Sequence, residues 1–519
     1  GMLNSILTND SSTIGGGASN TISVESDGSF IGGGINNLIT DNSRIGTITG
    51  GRANTITTTS IYGFIGAGHL NTQNNVDSSV IGGGASNLIN DNSDASIIAG
   101  GMNNTIQTTS LVGVIGGGRA NTVTNTDSAT IGGGAMNSII ADADASTIGG
   151  GMNNTVTTTS RASTIGGGRA NTVTTSANYG GIGSGFTNTI QTNADYNFIG
   201  GGNTNTVTSS DSSTIGGGTK NLITTDADAS TIGGGMDNTV TTNSRASTIG
   251  GGRANTVSAS SNYAGIGSGY TNTIQTDADY NFIGGGNTNT VTSSDSSVIG
   301  GGARNLITTD ADASIIGGGI GNTIQTTSLA GVVGGGHGNI MTDTDSSTVG
   351  GGAVNRILDN SDASTIGGGT NNTVMTTSRA STIGGGRANA ISVNANYGGI
   401  ASGYSNTVQT NANYSFIGGG NTNTVTNTDS ATIGGGAMNV ITTEADASTI
   451  GGGTNNTINN NSRSSTISGG HTNTIGTGAL SVTIGGGNTN DIGNDANYAT
   501  IGGGLNNNIA ANSTNSAIL

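Results

Sequence analysis

Along this chain a branched aliphatic residue recurs at two places in every sixteen or seventeen residues, and the positions between are almost all small or polar. One of the two stands directly before a glycine triplet, as Ile165 does, and the other follows it eight residues later, as Val173 does. An amphipathic helix would return its apolar positions every three or four residues, so the spacing excludes helix. Locally the pattern alternates, and side chains alternate across a strand. Two short strands per unit are therefore predicted, Ser163 to Gly167 and Asn171 to Thr175 in one example. Ser163, Ile165, Asn171 and Val173 then share the inner face, and Thr164, Thr172 and Thr174 face out.

The pattern repeats from end to end. Glycine triplets or close variants begin at thirty positions, from Gly15 to Gly502, in steps of 17 or 16 residues. The short steps come 50 or 84 residues apart, which lays a longer period of three or five units over the first. Arg161 to Asn188 and Arg245 to Asn272 are near copies, as block duplication would leave them. Residues 1–519 thus read as one repeat array without separate domains. The residue before the triplet is Ile in all but two units, Val333 and Val349. The third glycine never varies. Three residues beyond it stands an asparagine in every unit, among them Asn20, Asn54, Asn171, Asn305, Asn423 and Asn507. Two residues further comes Ile or Val, with Gln73 and Met341 as exceptions.

A unit this short cannot hold a helical solenoid repeat, and glycine triplets with β-branched neighbours oppose helix. The expected fold is all-β, a single continuous parallel β-solenoid of about 31 coils, one per unit, roughly 150 Å long at ordinary strand spacing. Ile14, Ile22, Ile165 and Val173 should line its interior. One coil alone is unstable, because about 3–6 kcal/mol from two aliphatics does not offset the ordering of the chain. Stacking must supply the rest. An inward asparagine in each coil is expected to donate to the amide one coil away and to turn backbone, which leaves no buried amide unpaired. The glycines should provide positive φ and close approach of the two sheets.

Composition narrows the function. Among 519 residues there are 98 glycines, no proline, cysteine or tryptophan, and a net charge of −16. The absence of cysteine rules out disulfides and thiolate metal sites. The acidic balance and the single lysine, Lys220, exclude nucleic acid as a partner. No apolar run is long enough for a membrane-spanning helix, so no membrane insertion is expected. His69, His337 and His471 lie many coils apart, and no unit carries an inserted loop that could form a cleft. No enzyme activity is expected.

The unit STIGGGxxNTV, as in Ser146 to Val156, resembles glycine-rich GGGxxNT repeat proteins of phage and bacterial tail-fibre type. It resembles more loosely the head repeats of trimeric autotransporter adhesins. The resemblance covers essentially the full chain, although it brings no coiled-coil stalk, outer-membrane anchor or terminal chaperone-like domain. It implies an extracellular, cell-surface or virion-surface fibre used as a shaft or an adhesive head, often a homotrimer, and the register at the chain ends adds head-to-tail filament formation as the alternative mode of self-association.

Other surface features define alternatives. Asp142 and Asp144, Asp226 and Asp228, and Asp310 and Asp312 form Asp-x-Asp pairs at turns. Stacked aspartates repel unless an ion, water or an interleaved arginine such as Arg161 screens them. Solvated turns are the simple reading, with no cofactor, and opportunistic binding of a divalent cation such as calcium is the alternative. Outward Thr-x-Thr, as at Thr122 and Thr124 or Thr206 and Thr208, suits an ice-binding face, but Leu88, Ser138, Leu222, Leu306, Arg356 and Val440 interrupt it. Arg119, Arg169, Arg253 and Arg387 follow the triplet directly. Tyr179, Tyr196, Tyr263, Tyr280, Tyr397 and Tyr414 mark the larger blocks, and both sets are expected at lateral contacts between chains. At the ends, Gly1, Met2, Asn4 and Ile6 fit one coil and Ser516 and Ile518 the start of another. The terminal coils around Ile6 and Ile509 are therefore expected to be covered by further solenoid.

Overall fold

The computed structural model describes residues 2–519, and among these there is no helix. The chain divides into two compact units, Gly1–Ala259 and Ser260–Leu519. Both are built alike. The fold is all-β, two parallel sheets wound as a β-solenoid of about 30 turns with about 17 residues per coil.

In the first unit, Thr147–Ile148 and Thr164–Ile165 pair in one sheet, and Thr155–Val156 and Thr172–Thr174 pair in the other. In the second unit, Thr365–Ile366 pairs with Thr382–Ile383, and Thr373–Val374 with Ala390–Ile391. Each sequence column therefore lies on itself one coil later. A third line of single bridges follows the triplet, as Met152 to Arg169 to Phe186. The strands are shorter than expected: Thr164–Ile165 replaces a predicted Ser163 to Gly167. The chain leaves the strand because the triplet turns, with Gly168 at φ +88°.

The 16-residue coils keep this register, with Thr122 opposite Ser138 and Val123 opposite Ile139. Their missing residue comes from the turn. Thr108 and Thr109 are consecutive left-handed residues, whereas the shorter coil that follows has the single left-handed residue Asn125 at that place. Left-handed non-glycine residues are uncommon in proteins, yet every coil among the described residues has them. Ala162 and Ala170 illustrate why they persist: their N–H groups donate to carbonyls of the previous coil, Asp144 at 2.8 Å and Met152 at 2.9 Å. Stacking holds a conformation that an isolated turn would abandon.

The core is a set of columns. Ile165, Val173, Asn171 and Ser163 are fully buried, as expected, and so is a column that the alternation did not reveal. It runs through the turn as Ser110, Thr126, Ala143, Ser160, Ala177 and Ala194, small residues that close the side of the interior. Where Gln73 replaces the usual Ile or Val, Gly63 makes the space, since a Cβ on Gly63 would come within 2.6 Å of the Gln73 Oε1. Gln73 Nε2 donates to the carbonyls of Ser79 at 2.8 Å and Phe64 at 3.2 Å, but its Oε1 is buried without a partner.

In the asparagine column the expected bonds to turn backbone recur, whereas the expected amide-to-amide bond is not general. Oδ1 of Asn154 accepts the backbone N–H of Asn171 at 3.0 Å, and Nδ2 of Asn171 donates to carbonyls of Gly167 at 2.9 Å and Gly185 at 3.1 Å. Direct amide-to-amide bonds join only some neighbours, such as Asn71 to Asn54 at 3.1 Å. The amide supplies two donors, one to the Gly167 carbonyl and one to the Gly185 carbonyl, which also accepts the Arg169 N–H at 2.8 Å. Asn20, Asn54, Asn305 and Asn423 repeat the scheme. Asn507 and Ile14, near the two ends, are only half-buried, whereas Ile22 is fully enclosed. Asn4 accepts from the Asn20 N–H at 3.0 Å and Ser5–Ile6 pairs with Thr21–Ile22, so the register expected there holds. Ala517–Ile518 pairs with Thr500–Ile501. Gly1 lies outside the described residues.

The glycines bring coils together rather than the two sheets. A Cβ on Gly168 would lie 2.2 Å from the carbonyl oxygen of Gly185, one coil on. The first triplet position is crowded too, yet it accepts Thr49, Ala99, Ala401 and Ser468, and the second faces open space and accepts Ala67 and Ser184. Only the third combines positive φ with contact from two sides, which is why only it never varies.

Two outcomes follow. Gly168→Ala should lower stability by about 3 kcal/mol or more, from strain and the carbonyl contact together, whereas Gly167→Ala should change the melting temperature little. Equal melting of the two variants would contradict this account of the triplet. Gln73→Ile should leave stability unchanged or raise it by about 1 kcal/mol, because a buried unpaired oxygen is removed and Gly63 leaves room; calorimetric melting measures it.

Candidate functional site

Two strands per coil require two connections, and these present different chemistry. The connection through the triplet carries the residues directly after it: Arg119, Arg169, Arg253 and Arg387, with His69, His337 and His471 in the same column. The guanidinium of Arg169 sits over the Phe186 ring of the next coil at 5.6 Å, and that of Arg387 over Tyr404 at 5.8 Å. Arg119 bridges to Met102 and Ala135, and Arg253 to Met236. The histidines remain separated, and His471 Nδ1 lies 3.2 Å from Asn488 Oδ1.

The opposite connection is the turn, which carries the tyrosines and the acidic residues. Sequence placed the arginines after the triplet and the tyrosines in one set of contacts; the coil separates them onto opposite edges. Tyr179 and Tyr196 stack at 4.7 Å between ring centroids and 4° between planes. Tyr263 with Tyr280 and Tyr397 with Tyr414 do the same at 4.9 and 4.7 Å. The separation is the coil spacing itself, so identical residues in successive turns are brought face to face by the backbone.

Beside each tyrosine runs a column of Asp, Asn and Arg. Asp144 Oδ1 accepts the N–H of Asp127 from the preceding coil at 2.9 Å, and Asp228 Oδ1 that of Asp211 at 2.8 Å. Asp312 does the same for Asp295 at 2.6 Å. These bonds point from each coil back to the one before, opposite to those of the asparagine ladder. The carboxylates are thus relieved chiefly by backbone N–H groups, which the expectation of an ion, water or arginine overlooked. Arginine adds to this: Arg161 Nε lies 3.6 Å from Asp144, and Arg379 Nε 3.5 Å from Asp362. Both pairs are exposed, where such contacts are worth little.

The other partners of the Asp-x-Asp pairs face solvent. Asp142 Oδ1 accepts from Asn125 Nδ2 at 2.9 Å. The N–H groups of Asp226 and Asp310 donate to Ser209 and Ser293 carbonyls, both at 2.6 Å. Among the described residues no three His, Asp or Glu side chains are grouped to hold a metal ion. The outward threonine columns are interrupted as the sequence indicates, with Leu88 between Thr72 and Thr105 and Leu222 between Thr206 and Thr239.

The structure adds one group of surface residues that the sequence reading missed. Phe198 lies against Gly181 of the preceding coil, where a Cβ would come within 2.9 Å of the ring, and Phe416 lies against Gly399 in the same way. Both phenylalanines are exposed on the outer face. The signal was present as Tyr-x-Phe at Tyr62, Tyr196, Tyr280 and Tyr414, with the tyrosine in the turn and the phenylalanine opening the next strand.

Compared with known proteins, the chain matches no protein-family model and no curated protein sequence.

Asp491 tests the electrostatics of an outward strand position. It pairs with Thr474 and Asn508, and burial raises its carboxyl above the ordinary 3.8. The folded state therefore holds this proton more tightly than the unfolded state, and stability falls as pH rises from the ordinary value through the raised one. Asp491→Asn should melt higher than the parent at pH 7 and the two should converge at about pH 3. A constant difference across that range would remove desolvation as the cause.

Proposed function

We propose that this protein is a structural element of an extracellular, cell-surface or virion-surface fibre, without enzyme activity, that associates with further copies of itself. The observation that supports the reading most is the uniformity of the coil. Within each unit, among the described residues, every turn repeats the same ladder and no loop interrupts it, and variation is confined to surface columns of the strands and the two edges. Such a chain extends a constant cross-section and displays side chains at fixed intervals, which suits a shaft.

The triplet edge supports lateral association. Phe186, Met236 and Tyr404 are exposed there, and Arg169 and Arg387 already lie over the aromatic rings of the next coil. Sparse arginines and aromatics on a surface of Thr, Ser and Asn are the residue types that dominate protein contacts.

Negative-stain micrographs of the purified chain should show elongated particles, and their mass in analytical ultracentrifugation should rise with concentration. Arg169→Ala with Arg387→Ala should weaken that rise without lowering the melting temperature. Compact round particles that stay monomeric at every concentration would overturn the reading.

A further inference from the structure

The stacked tyrosines form part of a site that the shaft reading does not use. In the second unit Arg379, Asn396, Tyr397, Asn413 and Tyr414 line an open depression of about 410 Å³ on the turn edge. Tyr397 is 56% exposed and Tyr414 61% exposed, although their rings cover each other on one face. Their outer faces look along the column toward Ala380 on one side and Ser430 on the other, residues too small to cover a ring. The first unit has a similar set, Arg161, Asn178, Tyr179 and Tyr196 with Asp195 in place of Asn413, and its ring pair has the same 4.7 Å spacing.

The depression is held rigidly. The N–H groups of Tyr397, Tyr414 and Ser430 each donate to the previous coil, at 2.9 Å to Arg379, Asn396 and Asn413 respectively. The amides are aligned by the turn ladder: Arg379 N–H donates to Asn396 Oδ1 at 2.9 Å, and Asn396 N–H to Asn413 Oδ1 at 3.0 Å. Nδ2 of Asn396 also donates to Asn413 Oδ1 at 3.3 Å, and Nδ2 of Asn413 to Asp429 Oδ1 at 3.2 Å. Each side-chain amide nitrogen carries two hydrogens, so each keeps one for a ligand. The Arg379 guanidinium, beside Asp362 only through Nε, retains further donors directed to solvent. Neither tyrosine hydroxyl bonds to another side chain or to backbone among the described residues.

The ligand that fits has one apolar face for a phenol ring and a rim of hydroxyls for amide, guanidinium and phenol groups. That combination is a sugar ring. Phosphorylated or strongly anionic ligands are disfavoured by the net charge of −16 and by Asp362 and Asp429 beside the site. The openness of the depression suits one residue of a longer chain rather than an enclosed small molecule. Rigid tyrosines lose little conformational entropy when they become contact surfaces, so a site with few groups can bind.

We propose that Arg379, Asn396, Tyr397, Asn413 and Tyr414, and likewise Arg161, Asn178, Tyr179, Asp195 and Tyr196, bind a neutral saccharide, one pyranose stacking on an outer tyrosine face. This rests on the reading of an exposed surface fibre only for its setting. Failure to bind saccharide leaves the shaft intact, and compact particles in micrographs leave the saccharide site intact.

Saturation-transfer NMR and calorimetric titration of the full chain with cellohexaose, maltohexaose, chitohexaose and mannohexaose test it. At least one should bind saturably by about 10 mM, the range of weak multivalent contacts. Replacing Tyr179, Tyr196, Tyr397 and Tyr414 with Ala should weaken that binding by about tenfold or more. The same four positions changed to Phe should retain most of it, with unchanged circular dichroism and melting in both sets. Absence of saturable binding by all four oligosaccharides overturns the proposal, as does binding that the alanine set leaves unchanged. Loss of self-association in the alanine set without an effect on saccharide would make the edge a contact between copies, and would also overturn it.

Discussion

The fold depends on each coil accepting the backbone of the next in unbroken register. The asparagine at the end of the triplet connection is where this requirement is met most directly. Its oxygen takes an N–H from the following coil, and its nitrogen ties down two glycine carbonyls, one in its own coil and one in the next. The bond is local in space but spans two or three coils in chemistry. Substitution at one coil therefore leaves unpaired groups in its neighbours, and buried unpaired groups are expensive. The constant third glycine follows from the same geometry, since the carbonyl that a Cβ would strike belongs to the next coil.

Opposed ladders then lock the turn. The inner asparagines and serines accept N–H groups from the following coil, as Ser146 does from Ser163 at 3.1 Å, whereas the outer Asp and Asn of the turn accept from the preceding coil. A coil is held from both sides by side chains as well as by strand pairing. Left-handed residues such as Thr158, Thr159 and Ala162 are carried in that frame at a conformational cost an isolated loop would not sustain. The same frame makes the surface predictable. A side chain at a given column projects from the same place in every turn, so tyrosines in consecutive coils stack without any other cause.

Function enters where the columns vary. The core columns admit few changes, and the exceptions are accommodated locally, as Gly63 does for Gln73 and Gly331 for Met341. The edges are freer, because their residues face solvent and their bonds use backbone or small polar tips. Aromatics and arginines are grouped there rather than at random, and on the outer strand face a glycine in the preceding coil makes room for Phe198 and Phe416. A scaffold that holds its own shape without these residues can spend them on contacts.

Period, strand positions, the inner face and the constant columns were all legible in the sequence, because a repeat exposes by comparison which positions the backbone constrains. Ile165, Asn171, Val173 and the outward threonines are where alternation placed them. The turn-backbone partners of the buried amides were legible, but how far the amides also bond one another was not, since an asparagine side chain can bond its neighbour's amide or its neighbour's backbone, and only the curvature of the triplet decides. Nor was the direction in which the acidic turn residues reach, which depends on left-handed backbone that alternation does not encode. The buried Ser and Ala column of the turn was hidden for the same reason. Sequence spacing also could not separate Arg169 from Tyr179, ten residues apart in one coil, onto opposite edges. That division, and the depression beside Tyr397 and Tyr414, exist only once the two connections have been closed around the core, because proximity across coils is a property of the stacked chain rather than of any single repeat.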